Sequence, residues 1–156
     1  MKKTLKFLMA LAIVALVSAS CSITKNVEPG AQQMPFTELQ NYFVNNTHRV
    51  TKVERLVIKD EATFNQIFGQ AAVMGTNGAP TAVNFKTQYV VAVLLPETDR
   101  LTQAYPVNVL QNGNSIIFNY KVEKGSSQSY TMSPFTAVVL DRPVSDQNME
   151  IYFNEK

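Results

Sequence analysis

The chain has 156 residues, with 14 lysine or arginine and 12 aspartate or glutamate residues, which gives a formal net charge of +2. Three of the basic residues lie within the first 20 residues, so the remaining 136 residues carry 11 basic and 12 acidic side chains, a formal charge of −1. That balance excludes the basic surface of a nucleic-acid-binding protein. One cysteine and one histidine exclude a disulfide framework and a structural zinc site, and we predict no cofactor.

The first 21 residues have the three parts of a secretory signal. A lysine-rich start leads into the apolar run Phe7 to Val17, and three small residues, 18–20, precede Cys21. The apolar run is too short to span a hydrocarbon core roughly 30 Å thick, which needs about twenty helical residues. Cys21 lies where cleavage would make it the new N-terminus. This arrangement resembles the lipobox of bacterial lipoproteins.

The lipoprotein resemblance implies that the Cys21 thiol receives a diacylglycerol and that its freed amine is acylated. Cys21 would then bind membrane lipid through two or three chains, enough for stable anchoring because each buried CH₂ contributes about 0.8 kcal/mol. By the sorting rule of that family, Ser22 in place of an aspartate favours the outer membrane of a Gram-negative cell envelope. The alternative is an ordinary signal peptide that is cut after Ser20.

The segment that follows, Ser22 to Met34, is polar, contains a proline and a glycine, and shows no apolar period. We therefore predict a lipidated N-terminus and flexible tether at residues 21–34, a coil with an end-to-end distance of roughly 20 Å. Residues 1–20 are the predicted signal peptide. Residues 35–156 are long enough for a single β-rich globular domain with its own core.

The first predicted element of the domain is a short amphipathic helix over residues 35–44. Thr37 can serve as its N-cap, and Leu39, Tyr42 and Phe43 follow at the i, i+3 and i+4 spacing of one helical face. A polar turn then ends the helix.

A strand and a clearer helix come next. Residues 49–58 are rich in β-branched side chains, which favour a strand. Asp60 is the predicted N-cap of a helix with one continuous apolar stripe, formed by Phe64, Ile67, Phe68, Ala71 and Ala72. With Gly75 just past its end, this helix needs a sheet against which to bury the stripe.

The centre of that sheet is predicted at Tyr89 to Leu95, seven residues whose only polar side-chain group is the tyrosine hydroxyl. An unalternating apolar run of this length is typical of a strand buried on both faces. The helix capped by Asp60 would cover one of those faces.

A β-hairpin is predicted around Asn112-Gly113, a pair favoured in type I′ turns because both residues tolerate positive φ. With those two residues as the loop, apolar pairs share one face: Val109 with Ile116, Val107 with Phe118, and Tyr105 with Tyr120. Pro106 cannot donate to a ladder, which predicts an edge or a bulge at that point.

The rest of the chain predicts two further strands. Residues 125–134 (GSSQSYTMSP) are polar and predict a loop, residues 135–140 are apolar and predict a strand, and residues 141–148 predict a turn. Apolar side chains alternate along residues 149–154 in a last strand. About six strands and one well-defined helix predict an α+β fold with a mainly antiparallel β-sheet.

Few residues have the chemistry of a catalytic site. A His-based triad could be built only around His48, which follows a polar turn and has no carboxylate fixed beside it in the sequence. We interpret His48 as a solvated or hydrogen-bonded structural residue. Glu97 and Asp99 form a close acidic pair that could bind calcium weakly or act on a sugar, or that simply solvates a turn. We predict that the protein is not an enzyme.

Two predicted loops are the candidate binding sites, because binding residues concentrate on loops held by a rigid sheet. They are residues 96–105 (PETDRLTQAY) and residues 125–134. The candidate contact residues are Glu97, Asp99, Arg100, Tyr105, Ser129, Tyr130 and Met132. In the alternative interpretation, Tyr105 belongs to the core and the others are ordinary loop surface.

Several short motifs occur in a fixed order between Val83 and Leu140. They are Asn84-Phe85, the buried run Val90 to Leu95, Tyr105 at the start of a strand, and Ser133-Pro134-Phe135. In these features the sequence resembles the C-terminal domain family of the protease complex subunit PrcB, in which a Thr-Gly-Gly-Tyr-like loop stands where this chain has residues 101–105 (LTQAY). The resemblance implies a β-rich accessory domain, associated with stabilising a surface protease complex.

These observations lead to one principal functional hypothesis. The protein is predicted to be a non-enzymatic outer-membrane lipoprotein that binds an envelope or secreted protein, with a protease as the partner class implied by the resemblance. The alternative is a lipoprotein that binds or weakly processes glycans through Tyr105, Tyr130 and the Glu97/Asp99 pair. A purely structural envelope role fits the same residues.

Overall fold

The computed structural model describes residues 30–75, 78–143 and 149–156. The predicted signal peptide, Cys21, most of the predicted tether and most of the predicted 141–148 turn lie outside these ranges. The elements of the described part are β1 Gln32–Met34, β2 Thr37–Glu38, β3 Tyr42–Val44, β4 Glu54–Ile58, α1 Glu61–Ile67, β5 Phe68–Gln70, β6 Gln88–Leu94, β7 Thr98–Asn112, β8 Ser115–Met132, β9 Phe135–Asp141 and β10 Glu150–Glu155. The prediction of an α+β, mainly antiparallel fold is confirmed.

One long antiparallel ribbon organises the fold. β6 pairs with β9 from Gln88 opposite Asp141 to Leu94 opposite Phe135, and β7 pairs with β8 up to the tip of the ribbon. The Leu95 N–H donates to the Pro134 carbonyl at 2.8 Å, which joins the two ladders. The ribbon folds over between them, so its halves lie in two sheets, β2-β9-β6-β4 and β1-β7-β8-β10. A third, two-stranded sheet contains β3 and β5.

β6 lies between two hydrophobic cores. Val90, Ala92 and Leu94 face a helix-side core that also contains Phe64 and Ile67 of α1. The alternate residues Tyr89, Val91 and Val93 face an inter-sheet core, together with Val109, Ile116, Phe118, Tyr120, Val138 and Leu140. The prediction of a strand buried on both faces, with the Asp60 helix over one of them, is therefore confirmed.

The N-cap of α1 was predicted correctly, but the residue at which the helix ends was predicted wrongly. Asp60 has an extended backbone, and its carboxylate accepts hydrogen bonds from the Thr63 N–H and hydroxyl, both at 2.8 Å. These bonds lower the pKa of Asp60 below its usual value, chiefly through the backbone bond. The helix ends at Ile67, short of Ala72, because residues 68–70 leave it as β5 and pair with β3.

The short helix predicted over residues 35–44 is wrong, because this segment forms β2 and β3. Asn41 has φ 61, a left-handed conformation that interrupts a helix. The backbone instead pairs outward, and the Leu39 N–H donates to the Ala137 carbonyl at 2.9 Å. The prediction of a flexible tether is also wrong for its last three residues, since Gln32–Met34 form β1 along the edge of β7.

The hairpin prediction placed Val109, Ile116, Phe118 and Tyr120 inside correctly but with the wrong partners, and it was wrong for Tyr105 and Val107, which are only half-buried. Gly113, with φ 58, is the first central residue of the turn, so Val109 lies opposite Phe118 instead of Ile116. This shift of two positions keeps Val109, Ile116, Phe118 and Tyr120 on the buried face. The predicted irregularity at Pro106 is confirmed as a register shift before Asn108, which turns Tyr105 to the face opposite Tyr120.

The last two predicted strands are also found. β9 covers the apolar run, and β10 pairs in parallel with β8 from Glu150 opposite Ser115. Met149, Ile151 and Phe153 pack against the inter-sheet core, as their alternation predicts. Residues 49–53 do not join the predicted strand, which begins at Glu54.

Candidate functional site

The two predicted binding loops are the two strands of one ribbon, so their prediction as loops is wrong. β7 already begins at Thr98 and β8 continues to Met132, with Thr98 opposite Met132 and Thr102 opposite Lys124. We call residues 98–105 with 121–132 the corner part of the ribbon. These strands pair with each other because backbone pairing does not require apolar side chains, and most of their side chains remain exposed.

The corner part is irregular on the β8 side. Two steps along β7, from Thr98 to Arg100, match five steps along β8, from Met132 to Ser127. The extra residues form a bulge, a device that bends a ribbon and redirects its side chains. Tyr130 lies within this bulge and is 57% exposed.

A groove of about 470 Å³ lies beside the corner part, and we call it the aromatic groove. Three separate segments line it: Tyr42, Phe43, Val44 and Asn46; Thr102, Gln103, Ala104 and Tyr105; and Thr131, Met132, Ser133, Pro134 and Phe135. Every lining residue is uncharged. The volume is in the range of protein ligand sites.

Phe43 and Met132 are the exposed apolar side chains of the aromatic groove, at 44% and 39% exposure. The ring of Phe43 lies over Gly69 of β5. A Cβ atom added to Gly69 would lie 2.4 Å from Phe43 Cζ, so only glycine leaves room for the ring in this position. β5 therefore sets the position of the Phe43 ring.

Tyr105 is held at the rim of the groove by a charged cluster. Its hydroxyl donates to Glu123 Oε1 at 2.7 Å, and Lys121 Nζ lies 2.7 Å from the same oxygen. The ammonium also lies 5.9 Å from the centre of the Tyr105 ring. The lysine bond lowers the pKa of Glu123, and the carboxylate raises the pKa of Lys121. Tyr105 is thus a half-exposed rim residue, not a core residue.

A smaller groove of about 180 Å³ adjoins the first and shares five lining residues with it: Val44, Asn46, Thr131, Met132 and Ser133. It adds His48 and Glu97 to the site. His48 Nε2 lies 2.9 Å from Glu54 Oε2, so the histidine is hydrogen-bonded to a carboxylate six residues away in sequence. Glu97 accepts a hydrogen bond from the Thr131 hydroxyl at 2.9 Å.

The structure brings together only some of the predicted contact residues. Tyr105 and Met132 line the aromatic groove, and Glu97 lines the adjoining one. Asp99, Arg100 and Ser129 are exposed on the ribbon, outside the grooves described above. Arg100 Nη1 donates to the Gly125 carbonyl at 3.5 Å. The acidic pair Glu97 and Asp99 is therefore not assembled in one groove.

Sequence reasoning missed Phe43, the most exposed aromatic side chain of the groove. The predicted helix placed it on an inward stripe with Leu39 and Tyr42. In a strand, alternate side chains point to opposite faces, which puts Phe43 outside while Tyr42 and Val44 pack inward. Treating residues 42–44 as a strand, with alternate side chains on opposite faces, would have placed Phe43 on the exposed face.

The described residues contain no cluster of three or more metal-ligating side chains. Within the same ranges, no helix is sufficiently long and apolar to cross a bilayer. No protein-family model, curated protein or solved structure matches the chain. The resemblances to bacterial lipoproteins and to the PrcB C-terminal family therefore stay predictions from the sequence.

Proposed function

We propose that the protein is a lipid-anchored, non-enzymatic binding module of the cell envelope that holds a segment of an envelope or secreted protein in the aromatic groove. The observation that carries this proposal is the convergence of three separate segments on one uncharged groove with Phe43 and Met132 exposed in it. Following the PrcB resemblance, the partner class is a protease.

The composition of the groove supports a protein partner. The cores of protein interfaces are enriched in aromatic residues and methionine and depleted of charge, while their rims are polar. Phe43, Met132 and Tyr105 give the groove that composition, and the Glu123 and Lys121 side chains provide a charged rim beside it.

The anchor is tested separately from the groove. Mass spectrometry of the mature N-terminus in wild type and Cys21→Ser should find acyl chains on Cys21 only in the wild type. The variant should also leave the membrane fraction, because it cannot be acylated. An unmodified Cys21 on a mature chain would contradict the anchor and leave the groove proposal in place.

The groove is tested by affinity purification of the full-length protein from mild detergent, with mass spectrometry of co-purified proteins. The test variant is Phe43→Ala/Met132→Ala, and the matched control is Tyr152→Ala, which removes a similarly exposed side chain from β10. Loss of two interface anchors should weaken partner binding by about 30-fold or more. A partner retained equally by all three proteins would contradict this placement of the site.

A glycan is the second candidate ligand, and one observation favours it. The aromatic groove places Tyr42, Phe43 and Tyr105 beside the amides of Asn46 and Gln103, a mixture suited to stacking on a sugar ring and bonding its hydroxyls. A glycan array with wild type and Phe43→Ala tests this candidate. Binding that Phe43→Ala abolishes, with no co-purified protein, would favour the glycan.

Glycan processing, unlike glycan binding, would require the carboxylates of Glu97 and Asp99. Turnover should then be lost in Glu97→Gln/Asp99→Asn, while binding through the aromatic groove remains.

A further inference from the structure

The aromatic groove runs along one edge of β3. This strand pairs with β5, which is its only strand neighbour in the described part of the chain. An edge strand presents main-chain N–H and C=O groups to which another extended chain can add. The edge of β3 that faces away from β5 therefore has the chemistry to bind a peptide main chain.

The hydrogen bonds at the two ends of β3 show which of its residues pair with β5. The Ala71 N–H donates to the Asn41 carbonyl at 2.9 Å, and the Asn45 N–H donates to the Ile67 carbonyl at 2.8 Å. In an antiparallel ladder every second residue exchanges bonds with the partner strand, so Phe43 is the residue of β3 that pairs with β5. The two other residues of β3 direct their N–H and C=O groups to the opposite edge.

These two residues, Tyr42 and Val44, both line the aromatic groove. Their side chains pack in the helix-side core, where the Tyr42 ring lies 5.2 Å from the ring of Phe64. The Tyr42 hydroxyl donates to the Thr81 carbonyl at 3.0 Å. Since the side chains are held on the core side, the main chains of Tyr42 and Val44 are the parts that reach the groove. Each contributes an N–H donor and a C=O acceptor there.

A second strand edge lines the same groove. Residues 102–105 of β7 line it consecutively. Consecutive side chains of a strand point to opposite faces, so a consecutive run meets a groove with its edge. β1 pairs only with residues 109–111 of β7, and among the residues that the structure describes no other strand lies beside this edge. The run spans about 13 Å, the length of about four residues of an added strand.

The side chains in the groove indicate the character of the ligand. All thirteen described lining residues are uncharged, and Phe43 and Met132 expose apolar surface among them. A charged side chain buried against this lining would lose hydration without gaining a partner from it. Asn46 and Gln103 add side-chain amides that can bond a peptide main chain. An uncharged peptide with an apolar side chain beside Phe43 therefore complements this surface.

We propose that the partner segment in the aromatic groove is an extended, uncharged strand that adds to the edge of β3. This inference rests on the proposed function and specifies the conformation and chemistry of the bound segment. Tyr42 and Val44 pair with its main chain, and one of its apolar side chains lies beside Phe43. A helix does not fit this edge, because it uses its main-chain groups internally, and a glycan has no such groups.

The free protein provides a first test, because strand addition requires an open β3 edge. Amide hydrogen exchange of the full-length protein in mild detergent is followed by NMR. The Phe43 N–H should be protected by its bond to β5, whereas the Tyr42 and Val44 N–H groups should exchange much faster. Protection of both groups in the free protein, by the chain itself or by a second copy at high concentration, would overturn the proposal.

The probe is a nine-residue fluorescent peptide with phenylalanine at its centre and threonine alternating with valine on both sides. Its binding to the full-length protein is followed by fluorescence anisotropy. We expect the probe to bind, because main-chain hydrogen bonds supply most of the affinity in strand addition. Bound probe should also protect the Tyr42 and Val44 amides from exchange. No binding, or binding without this protection, would overturn the proposal.

Two control peptides carry N-methyl groups on alternate amides of the probe, one on the odd set and one on the even set. The amides that face β3 in an added strand belong to one of these sets. Methylation of that set removes its hydrogen bonds and should weaken binding about 5-fold or more. Undiminished binding of both methylated peptides would overturn the proposal.

Phe43→Ala/Met132→Ala and its control Tyr152→Ala place the bound probe in the groove. The double variant loses the apolar contacts beside the added strand and should bind the probe about 5-fold more weakly or less well still. Tyr152→Ala should bind it like the wild type. Equal binding by all three proteins would put the probe at another site and would overturn the proposal.

The outcomes separate strand addition from the proposed function. A protein that co-purifies through Phe43 and Met132, with no binding of the probe, would support the proposed function and overturn strand addition. Binding of the probe without any co-purified protein would support strand addition and contradict the proposed protein partner. Glycan binding that Phe43→Ala abolishes, with no binding of the probe, would overturn strand addition as well.

Discussion

The long ribbon contains two parts with the same antiparallel pairing and very different surroundings. In the core part, β6 and β9 keep an unbroken register over seven residue pairs, and every residue of β6 after Gln88 is buried. In the corner part, two register shifts occur between Thr98 and Thr102, and most side chains are exposed. Pairing alone therefore does not determine how regular a ribbon is.

The difference lies in what covers the two faces. A slip of one residue in β6 would exchange side chains between the helix-side core and the inter-sheet core, so packing on both faces fixes its register. Among residues 30–75, 78–143 and 149–156 no strand flanks the corner part, because β1 pairs only with residues 109–111 of β7 and β10 only with residues 115–120 of β8. A bulge there costs little packing, and the aromatic groove forms beside it.

The largest expected effect is a difference in stability between two leucine truncations, one in the core part of the ribbon and one in the corner part. Leu94 is fully buried in β6, so Leu94→Ala should lower the free energy of unfolding by about 2–5 kcal/mol. Leu101, in the corner part, is 45% exposed, so Leu101→Ala should change the free energy of unfolding by about 0.5 kcal/mol or less. Urea unfolding midpoints measure both values. Similar losses would contradict the contrast in burial.

The next largest effect is an energetic coupling between Gly69 of β5 and the ring of Phe43, which lines the groove beside the corner part. Gly69→Ala places a Cβ against that ring and should cost about 1–3 kcal/mol through overpacking. In a Phe43→Ala background part of this cost should disappear, because the ring is absent, while the contact of the new Cβ with Asn45 Oδ1, at 2.6 Å, remains. A double-mutant cycle measured by urea unfolding gives the coupling. Costs that simply add would show that the ring does not lie over Gly69.

A smaller effect concerns two threonines of adjoining strands. The hydroxyl of Thr136 in β9 is buried and has no hydrogen-bond partner in the described part of the chain, so Thr136→Val should stabilise the protein by about 1 kcal/mol. Thr131 in the corner part donates to Glu97, and Thr131→Val should be neutral or slightly destabilising. Thermal unfolding of both variants checks the opposite signs. A destabilised Thr136→Val would mean that its hydroxyl is paired.

The smallest effect is a pH dependence confined to the corner part. The pKa of Glu123 is lowered in the folded state by Lys121 and Tyr105, so its contribution is present above the usual value of 4.5. That contribution is lost as the pH falls through the lower, folded-state value. Amide hydrogen exchange at corner residues should increase in this window, and Glu123→Gln should remove the change. An equal increase along β6 would indicate global unfolding instead.

The sequence predicts correctly those parts of the fold in which the side-chain pattern is compatible with a single local structure. The apolar run of β6 is compatible only with burial on two faces, and Asp60 followed by Thr63 is a local capping arrangement. The hairpin register has two solutions, because a shift of two positions leaves Val109 and Phe118 on the same face. The hydrophobic pattern cannot distinguish them.

The candidate site was harder to predict, because its residues meet only through long-range pairing. Nothing local to the polar residues 125–132 shows that they face residues 98–102. The strands β1, β2 and β3 contain two or three residues each, and they form because neighbouring edges supply their hydrogen bonds. Tyr105 and Met132, which the sequence singles out, line the groove, while the exposure of Phe43 follows from its strand pairing with β5.

The position of β1 has a consequence for how the domain would stand on a membrane. Gln32 pairs with Gln111, close to the tip of the ribbon, so the chain enters the domain at that tip. Counted from Gln111, the first residue of the aromatic groove on β7 is Tyr105, six residues back along the strand and so roughly 20 Å away. With Cys21 lipidated, at most roughly 40 Å of fully extended chain separates the lipid from Gln32. The tip would then be the part of the domain nearest to its anchor, and the aromatic groove would lie farther from the anchor along the ribbon.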